Sequence, residues 1–158
     1  MQLWSRTRGR WLERSIASNR MRLRGVLETA LYHDSSEREL MEWLYREVLE
    51  LPLVAGWADA MAFRLGDGVV LLFDRQLIAK RDEPQAAHAT SGPGHLCFRA
   101  TVADYDSWRE RVAAAGVRIN HEHEWERGRR SFYFNDPAGN LLEIADGDLW
   151  PEAPPEFP

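Results

Sequence analysis

Hydrophobic and polar positions alternate along this chain in an order that occurs twice. The first copy begins with GVLETALYHD (25–34), whose alternation predicts a strand, and continues with SERELMEWLYREVLEL (36–51), whose apolar residues recur at helical spacing. DAMAFRLGDGVVLLFD (59–74) then predicts two strands around a Gly-Asp-Gly turn. Ser35 or Ser36 is the predicted cap of the helix.

The second copy has the same order of elements. GHLCFRATVAD (94–104) predicts a strand, YDSWRERVAAAG (105–116) a helix ended by Gly116, and VRINHEHEW (117–125) an alternating strand. RSFYFNDPAGNLLEIAD (130–146) predicts two strands around a turn. We therefore predict an α+β protein of two tandem β-α-β-β-β modules, which form a curved, barrel-like pair of sheets backed by helices. Neither module is long enough to build a generous core alone, so burial between them explains the duplication.

These patterns divide the chain into five segments. They are an Arg-rich arm (1–24), a first module (25–76), a linker without periodicity (77–92), a second module (93–150) and a Pro-rich tail (151–158). The arm has no long apolar region, which argues against a secretory signal. A docked or disordered arm, a transit-type targeting peptide and a natural start at Met21 remain alternatives.

Polar side chains interrupt the apolar pattern on one face of the predicted strands. Because strand side chains alternate, Leu96 and Phe98 are expected to face the helix, and His95 and Cys97 to face away from it. The titratable residues predicted on the concave faces are Glu28, Arg64, His95, Tyr133 and Glu143. One imidazole and two carboxylates that converge in a cleft indicate a divalent-metal site of Glu28, His95 and Glu143.

The repeat also predicts which positions correspond between the copies. Glu28 corresponds to His95, and Arg64 to Tyr133. Counting four residues on from Gly68 and Gly139 makes Leu72 the counterpart of Glu143. A fourth ligand is then missing, which leaves coordination positions open for water or substrate.

Other interpretations of these residues remain open. His95 could be a structural histidine, with Glu28 paired to Arg64 or Arg99. Cys97 could be a reactive thiolate or a small core residue.

Aromatic and imidazole side chains form a second group of candidates. His121 and His123 could chelate a metal, line a pocket or lie on an exposed edge strand. Trp57 and Trp125 could stack on a planar substrate or belong to the core.

Composition narrows the possible partners and location. The chain has 158 residues and a net charge of −5, but residues 1–24 hold seven arginines and one acid, so the remainder has a net charge of −11. An acidic body argues against nucleic acid as a partner, and no apolar stretch is long enough to cross a membrane. A lone cysteine excludes an internal disulfide framework and favours a cytoplasmic protein.

The quoted motifs resemble those of the vicinal oxygen chelate superfamily, over about residues 25–150. The resemblance is carried by the duplicated pattern, by GHLCF, by SFYFNDPAGNLLEI and by the helix ending AAAGV. That superfamily includes glyoxalase I, extradiol dioxygenases, fosfomycin-resistance thiol transferases and bleomycin-resistance proteins. The resemblance implies homodimers, a small-molecule substrate, and a divalent ion (Mn, Ni, Fe, Zn or Mg) held by Glu28, His95 and Glu143.

The resemblance also implies roles for these residues. Glu143 and Tyr133 are the implied catalytic residues, because Tyr133 falls on the substrate-contacting tyrosine of the fosfomycin-resistance transferases. The candidate substrate-binding residues are Arg64, Trp57, His123, Trp125 and Tyr133. We expect a metal-dependent enzyme of glyoxalase or dioxygenase type that uses Lewis-acid catalysis; the alternative is a non-catalytic, bleomycin-resistance-type module that binds a drug or metabolite.

Three departures limit what the resemblance implies. Glu28 stands where the transferases and dioxygenases commonly have histidine, which argues against two-His, one-carboxylate iron chemistry. Leu72 departs from the four-ligand pattern of glyoxalase I. Trp150 follows GDL where the fosfomycin-resistance transferases have a phosphonate-binding arginine, so fosfomycin is not the predicted substrate.

Overall fold

Two four-stranded sheets and their helices make up the part of the protein that the structure describes. The computed structural model describes residues 25–80 and 88–150. The predicted arm, the tail and part of the predicted linker therefore lie outside the described residues. No helix within the described ranges is long and apolar enough to cross a membrane.

The elements follow the predicted order in both copies. The first module has strands β1 (Glu28–His33), β2 (Leu53–Gly56), β3 (Ala60–Leu65) and β4 (Gly68–Asp74), with helix α1 (Arg38–Trp43) after β1 and a short helix α2 (Arg75–Ile78) after β4. The second has strands β5 (His95–Ala100), β6 (Ile119–Glu124), β7 (Arg130–Asn135) and β8 (Leu141–Asp146), with helix α3 (Tyr105–Ala114) after β5.

Both sheets have the same topology, which confirms the predicted duplication. The strand orders are β1-β4-β3-β2 and β5-β8-β7-β6. In each sheet the first and last strands of the module pair in parallel, and the other pairs are antiparallel. The two sheets are open and match the fold of the β-α-β-β-β modules.

The first helical segment is less regular than its apolar spacing predicts. A 3-10 turn (Ser35–Glu37) precedes α1, and a π-helical turn (Leu44–Val48) follows it. The cap is Asp34 rather than a serine, and its backbone N–H donates to the Glu37 carboxylate at 2.7 Å. This reciprocal arrangement satisfies an N–H that has no partner within the helix.

One hydrophobic core joins the two modules. It is built from the helices and from the inward faces of both sheets: Leu31, Met41, Leu44, Tyr45, Met61, Phe63, Leu72, Phe98, Val112, Phe132, Phe134, Leu142 and Ile144 are all buried in it. Shared burial of this kind is the predicted reason for duplication. Because the inward faces of both sheets form this core, the opposite face of each sheet, called the outer face below, points away from it.

Candidate functional site

The outer face of the second sheet brings three of the predicted site residues into contact. Glu143 lies in the middle of β8, opposite Cys97 on β5 and Tyr133 on β7. Tyr133 donates its hydroxyl proton to Glu143 Oε1 at 2.9 Å. On the other side, His95 Nε2 lies 3.3 Å from Glu143 Oε2.

A backbone carbonyl determines how the His95 ring is protonated. His95 Nδ1 lies 3.0 Å from the carbonyl oxygen of Leu141, and a carbonyl can only accept a hydrogen bond. Nδ1 must therefore carry a proton, and in a neutral ring Nε2 presents its lone pair to Glu143. Two electron-pair donors that face each other at this distance repel unless a proton or a cation lies between them.

Burial makes that carboxylate costly to leave without a counter-charge. The Glu143 side chain is only 6% exposed, whereas His95 beside it is 49% exposed. A buried carboxylate next to an accessible imidazole places one oxygen and one nitrogen donor together at a position that is open to solvent on one side.

Tyr133 and Cys97 remain protonated beside this carboxylate. Burial, together with the hydrogen bond to Glu143 and its charge, raises the pKa of Tyr133 to about 12. Burial and the same carboxylate raise the pKa of Cys97 to about 12. A raised pKa argues against the interpretation of Cys97 as a reactive thiolate, because the thiolate is the reactive form.

Glu28 lies on the other sheet, away from these residues. It begins β1, on the exposed face, in one row with Val69 and Arg64. Within the described ranges, no three His, Cys, Asp or Glu side chains form a group able to hold a metal ion. The predicted cluster of Glu28, His95 and Glu143 stays a prediction, because one chain alone does not show it.

The alternative ion pairs of Glu28 do not form. Arg64 donates to the carbonyl oxygen of Gly68 at 3.4 Å, and Arg99 pairs with Asp148 at 2.8 Å.

The strand register corrects two predicted correspondences between the copies. His95 pairs with Leu141 and Glu28 with Val69, so the position two residues on, Glu143, corresponds to Leu71. Leu72, the predicted counterpart, is fully buried on the core face.

The strand register also shows that the counterpart of Tyr133 is not Arg64. Tyr133 pairs with Glu143, and the residue that pairs with Leu71 in the first sheet is Ala62. Counting from Gly68 and Gly139 predicted the wrong counterparts because the turn between β3 and β4 is shorter than the turn between β7 and β8.

The other predicted substrate-binding residues lie at the surface. Trp57 is 52% exposed beyond the end of β2, so it does not belong to the core. Trp125 is 39% exposed and donates its indole N–H to Ser131 Oγ at 2.8 Å. His121 and His123 are exposed on the edge strand β6, on the same sheet face as Tyr133.

The sequence patterns did not predict one buried cluster of polar side chains between the modules. Asp136, in the turn before β8, accepts hydrogen bonds from Asn140 and from the Tyr45 hydroxyl of the other module. Asn140 also donates to the carbonyl oxygen of Tyr32, across 108 residues of sequence. The Asn-Asp-Pro-Ala-Gly-Asn stretch marks the turn, but only tertiary packing places Tyr45 beside it.

Comparison with known proteins identifies the family. The model of the Glyoxalase/Bleomycin resistance protein/Dioxygenase superfamily matches residues 41–144, about two thirds of the chain. The chain belongs to this superfamily. The resemblance to vicinal oxygen chelate proteins is thereby confirmed, and so is the predicted fold class.

Individual relatives of this superfamily are similar over most of the chain. A lactoylglutathione lyase from Agrobacterium tumefaciens is 36% identical, with a TM-score of 0.76 over 82% of this chain and 98% of that one. Glutathione transferase FosA from Serratia marcescens is 33% identical over 108 residues, 66% of this chain and 70% of its own length. Metallothiol transferase FosB from Shouchella clausii is 32% identical over 108 residues, 66% of this chain and 69% of its own. By name these relatives are enzymes: one lyase and two transferases.

Proposed function

We propose that this protein is a metal-dependent enzyme that binds a small oxygen-bearing substrate beside His95 and Glu143. The observation that carries the proposal is the 3.3 Å approach of His95 Nε2 to Glu143 Oε2, while Nδ1 is held by the Leu141 carbonyl. A hydrogen bond from the second ring nitrogen to a carbonyl is the usual way in which a metal-binding imidazole is oriented. The names of the relatives favour lyase or thiol-transfer chemistry over oxygenation.

The residues present fit a divalent ion of the Mn, Ni, Fe, Zn or Mg group. His95 and Glu143 would supply one nitrogen and one carboxylate oxygen, a donor set that several of these ions accept. Such an ion would supply Lewis-acid stabilisation of negative charge on substrate oxygens.

Tyr133 positions the carboxylate in this site and stays a proton donor. Its hydroxyl holds Glu143 Oε1, which leaves Oε2 directed at His95. Burial and the contact with Glu143 raise the pKa of Tyr133 to about 12, which keeps its hydroxyl a hydrogen-bond donor. Protonated Tyr133 can turn its hydrogen bond to a substrate oxygen that develops negative charge.

A second copy of the chain would complete the ligand set with Glu28. Both outer faces point away from the core that the two sheets share, so one chain does not bring Glu28 to His95. An outer face of one copy set against the outer face of another would do so. The Glu28 side chain has neither a hydrogen bond nor an ion pair with the rest of the described chain, so its carboxylate is free to serve this role. The proposed assembly is therefore a homodimer. The single cysteine, which has no partner for a disulfide within the chain, suits the predicted cytoplasmic location.

Metal analysis tests the proposed function directly. Protein purified without chelators, or reloaded with Mn²⁺, Ni²⁺, Fe²⁺, Zn²⁺ or Mg²⁺, is expected to hold a stoichiometric divalent ion by inductively coupled plasma mass spectrometry. No stoichiometric ion under any of these conditions would reject the enzyme. It would support the binding module instead, with Trp57, Trp125 and Tyr133 as the lining of its ligand site.

Mixing two inactive variants tests the shared site. Glu28→Gln and His95→Ala are each expected to lose metal binding. After partial unfolding and refolding of a mixture, binding should return, because a mixed dimer holds Glu28 from one chain and His95 with Glu143 from the other. The control is a mixture of His95→Ala with Glu143→Gln, in which no chain keeps both residues, so binding should not return. Recovery in this control, or no recovery in the first mixture with dimers present by sedimentation, would contradict a site shared between two chains, and wild-type binding by Glu28→Gln alone would place Glu28 outside the site.

A further inference from the structure

Four aromatic rings form a continuous wall along the edge strand of the second sheet. The ring centroids of Tyr133 and His121 are 5.8 Å apart, those of His121 and His123 6.2 Å, and those of His123 and Trp125 4.4 Å. The hydrogen bond of Trp125 to buried Ser131 fixes the far end of this ring wall. Tyr133, at the near end, is hydrogen-bonded to Glu143.

The ring wall faces the same side of the sheet as the proposed metal ligands. His121 pairs with Tyr133, and Tyr133 pairs with Glu143, so all three side chains lie in one row across the sheet. Two strand spacings separate Glu143 from His121, a distance of about 10 Å. His123 lies one pleat further along β6, opposite Ser131.

The two imidazoles have unused hydrogen-bonding groups. Neither His121 nor His123 forms a hydrogen bond or an ion pair within the described ranges, and both are exposed. An imidazole carries at least one N–H donor in every protonation state that it adopts at neutral pH. Their planes differ by only 25° at a centroid distance of 6.2 Å, so the two rings are stacked nearly parallel and lie next to each other on the exposed face of β6.

Acidic side chains on this strand do not compete for those donors. Glu122 and Glu124 alternate with the histidines and therefore face the helix side of the sheet. Glu122 is held there by Arg109 of α3, at 2.6 Å. The ring wall thus offers N–H groups without a neighbouring carboxylate on its own face of β6.

We propose that His121 and His123 together bind a carboxylate of the substrate, about 10 Å from the end that the metal holds. This inference rests on the proposed function and specifies its substrate class. The substrate is an elongated acid: a hydroxy or oxo acid group at the metal end, a short chain, and a second carboxylate at the ring wall. Two N–H donors suit the two oxygens of one carboxylate, and hydrogen bonds to charged groups are stronger than those between neutral groups.

A matched pair of ligands tests this inference with Mn²⁺-loaded protein. 2-Hydroxyadipate and 2-hydroxyhexanoate have the same chelating end and the same six-carbon chain, but only the first has a second carboxylate. Isothermal titration calorimetry is expected to show that 2-hydroxyadipate binds at least about tenfold more tightly. Equal affinity for the two acids would overturn the inference.

Substitutions then assign the preference to the imidazole N–H groups. His121→Phe,His123→Phe keeps two aromatic rings but removes their donors, so the preference for 2-hydroxyadipate should vanish while 2-hydroxyhexanoate binds as before. The His121→Ala,His123→Ala variant should give the same result, and it replaces the phenylalanine variant if that variant aggregates. Glu124→Gln, on the same strand but the opposite face, should keep the preference. Retention of the preference in both histidine double variants would overturn the assignment.

The same experiment separates this inference from the proposed function. If both acids bind as tightly without Mn²⁺ as with it, the metal-dependent function fails, and the carboxylate site fails with it. If neither acid binds to protein that holds stoichiometric Mn²⁺, the substrate class inferred here is wrong while the metal site stands. If 2-hydroxyhexanoate binds in a Mn²⁺-dependent way and 2-hydroxyadipate gains nothing, the proposed function stands and only the carboxylate site is wrong.

Discussion

His95→Ala is expected to weaken divalent-ion binding at least about 100-fold while leaving the fold intact. The loss follows because Nε2 of this ring is the accessible nitrogen next to the Glu143 carboxylate. The fold should survive because the side chain is half exposed and lies on the face opposite the core residues Leu96 and Phe98. Calorimetric titration with Mn²⁺ measures the binding, and a thermal melt of the metal-free protein checks the fold.

Glu143→Gln should have a similar effect for a different reason. Glutamine keeps the shape of the side chain and an oxygen that can accept the Tyr133 hydroxyl, but it removes the charge that attracts the ion. Two controls are His88→Ala, which changes a histidine of the linker that is hydrogen-bonded to Tyr32, and Glu124→Gln, which changes a carboxylate on the helix side of β6. Wild-type affinity in His95→Ala and Glu143→Gln would show that these residues are not ligands.

Asp136→Ala is expected to destabilise the protein by about 3 kcal/mol, the largest stability effect that we predict. The Asp136 carboxylate is buried and accepts three hydrogen bonds: two from Asn140 at 2.9 and 2.8 Å and one from Tyr45 at 3.1 Å. Alanine would leave three buried donors without an acceptor. Each such donor costs about 1–3 kcal/mol, and local relaxation keeps the sum below the additive value. Urea unfolding at neutral pH measures the change.

Two further variants show whether the loss comes from this cluster. Tyr45→Phe removes a single donor and leaves the carboxylate satisfied by Asn140, so it should cost only about 1 kcal/mol. Asp148→Ala removes an exposed carboxylate, paired with Arg99, and should change stability by less than about 0.5 kcal/mol. Equal effects of Asp136→Ala and Asp148→Ala would contradict the assigned role of the cluster.

The stability of this cluster also bears on the site. Leu141 and Glu143 follow Asn140 in the chain, and the Leu141 N–H donates to the carbonyl oxygen of Gly94, next to His95. The turn therefore aligns the start of β8 with the start of β5, and this alignment sets His95 against Glu143. We expect substitutions in the turn to weaken metal binding only as far as they loosen this alignment.

Local alternation by itself determined which faces of the strands are polar. The pleat places successive side chains on opposite sides, so Leu96 and Phe98 had to share one face, and His95 and Cys97 the other. The same rule placed Glu143 and Tyr133 on the outer face of their strands. The duplicated order of elements and the stretch SFYFNDPAGNLLEI also sufficed for the family, because both are properties of contiguous sequence.

The tertiary structure alone decided how these faces are aligned and which of them meet. Register depends on turn length and on long-range pairing. Counting from the turn glycines therefore predicted Leu72 as the counterpart of Glu143, whereas the strand pairing shows that the counterpart is Leu71. The placement of Glu28 away from His95 depends on a core that joins the inward faces of both sheets. The bonds from Asp136 to Tyr45 and from Asn140 to Tyr32 likewise join residues about a hundred positions apart. No periodicity within one strand or helix carries such information, because it arises only when the two modules pack together.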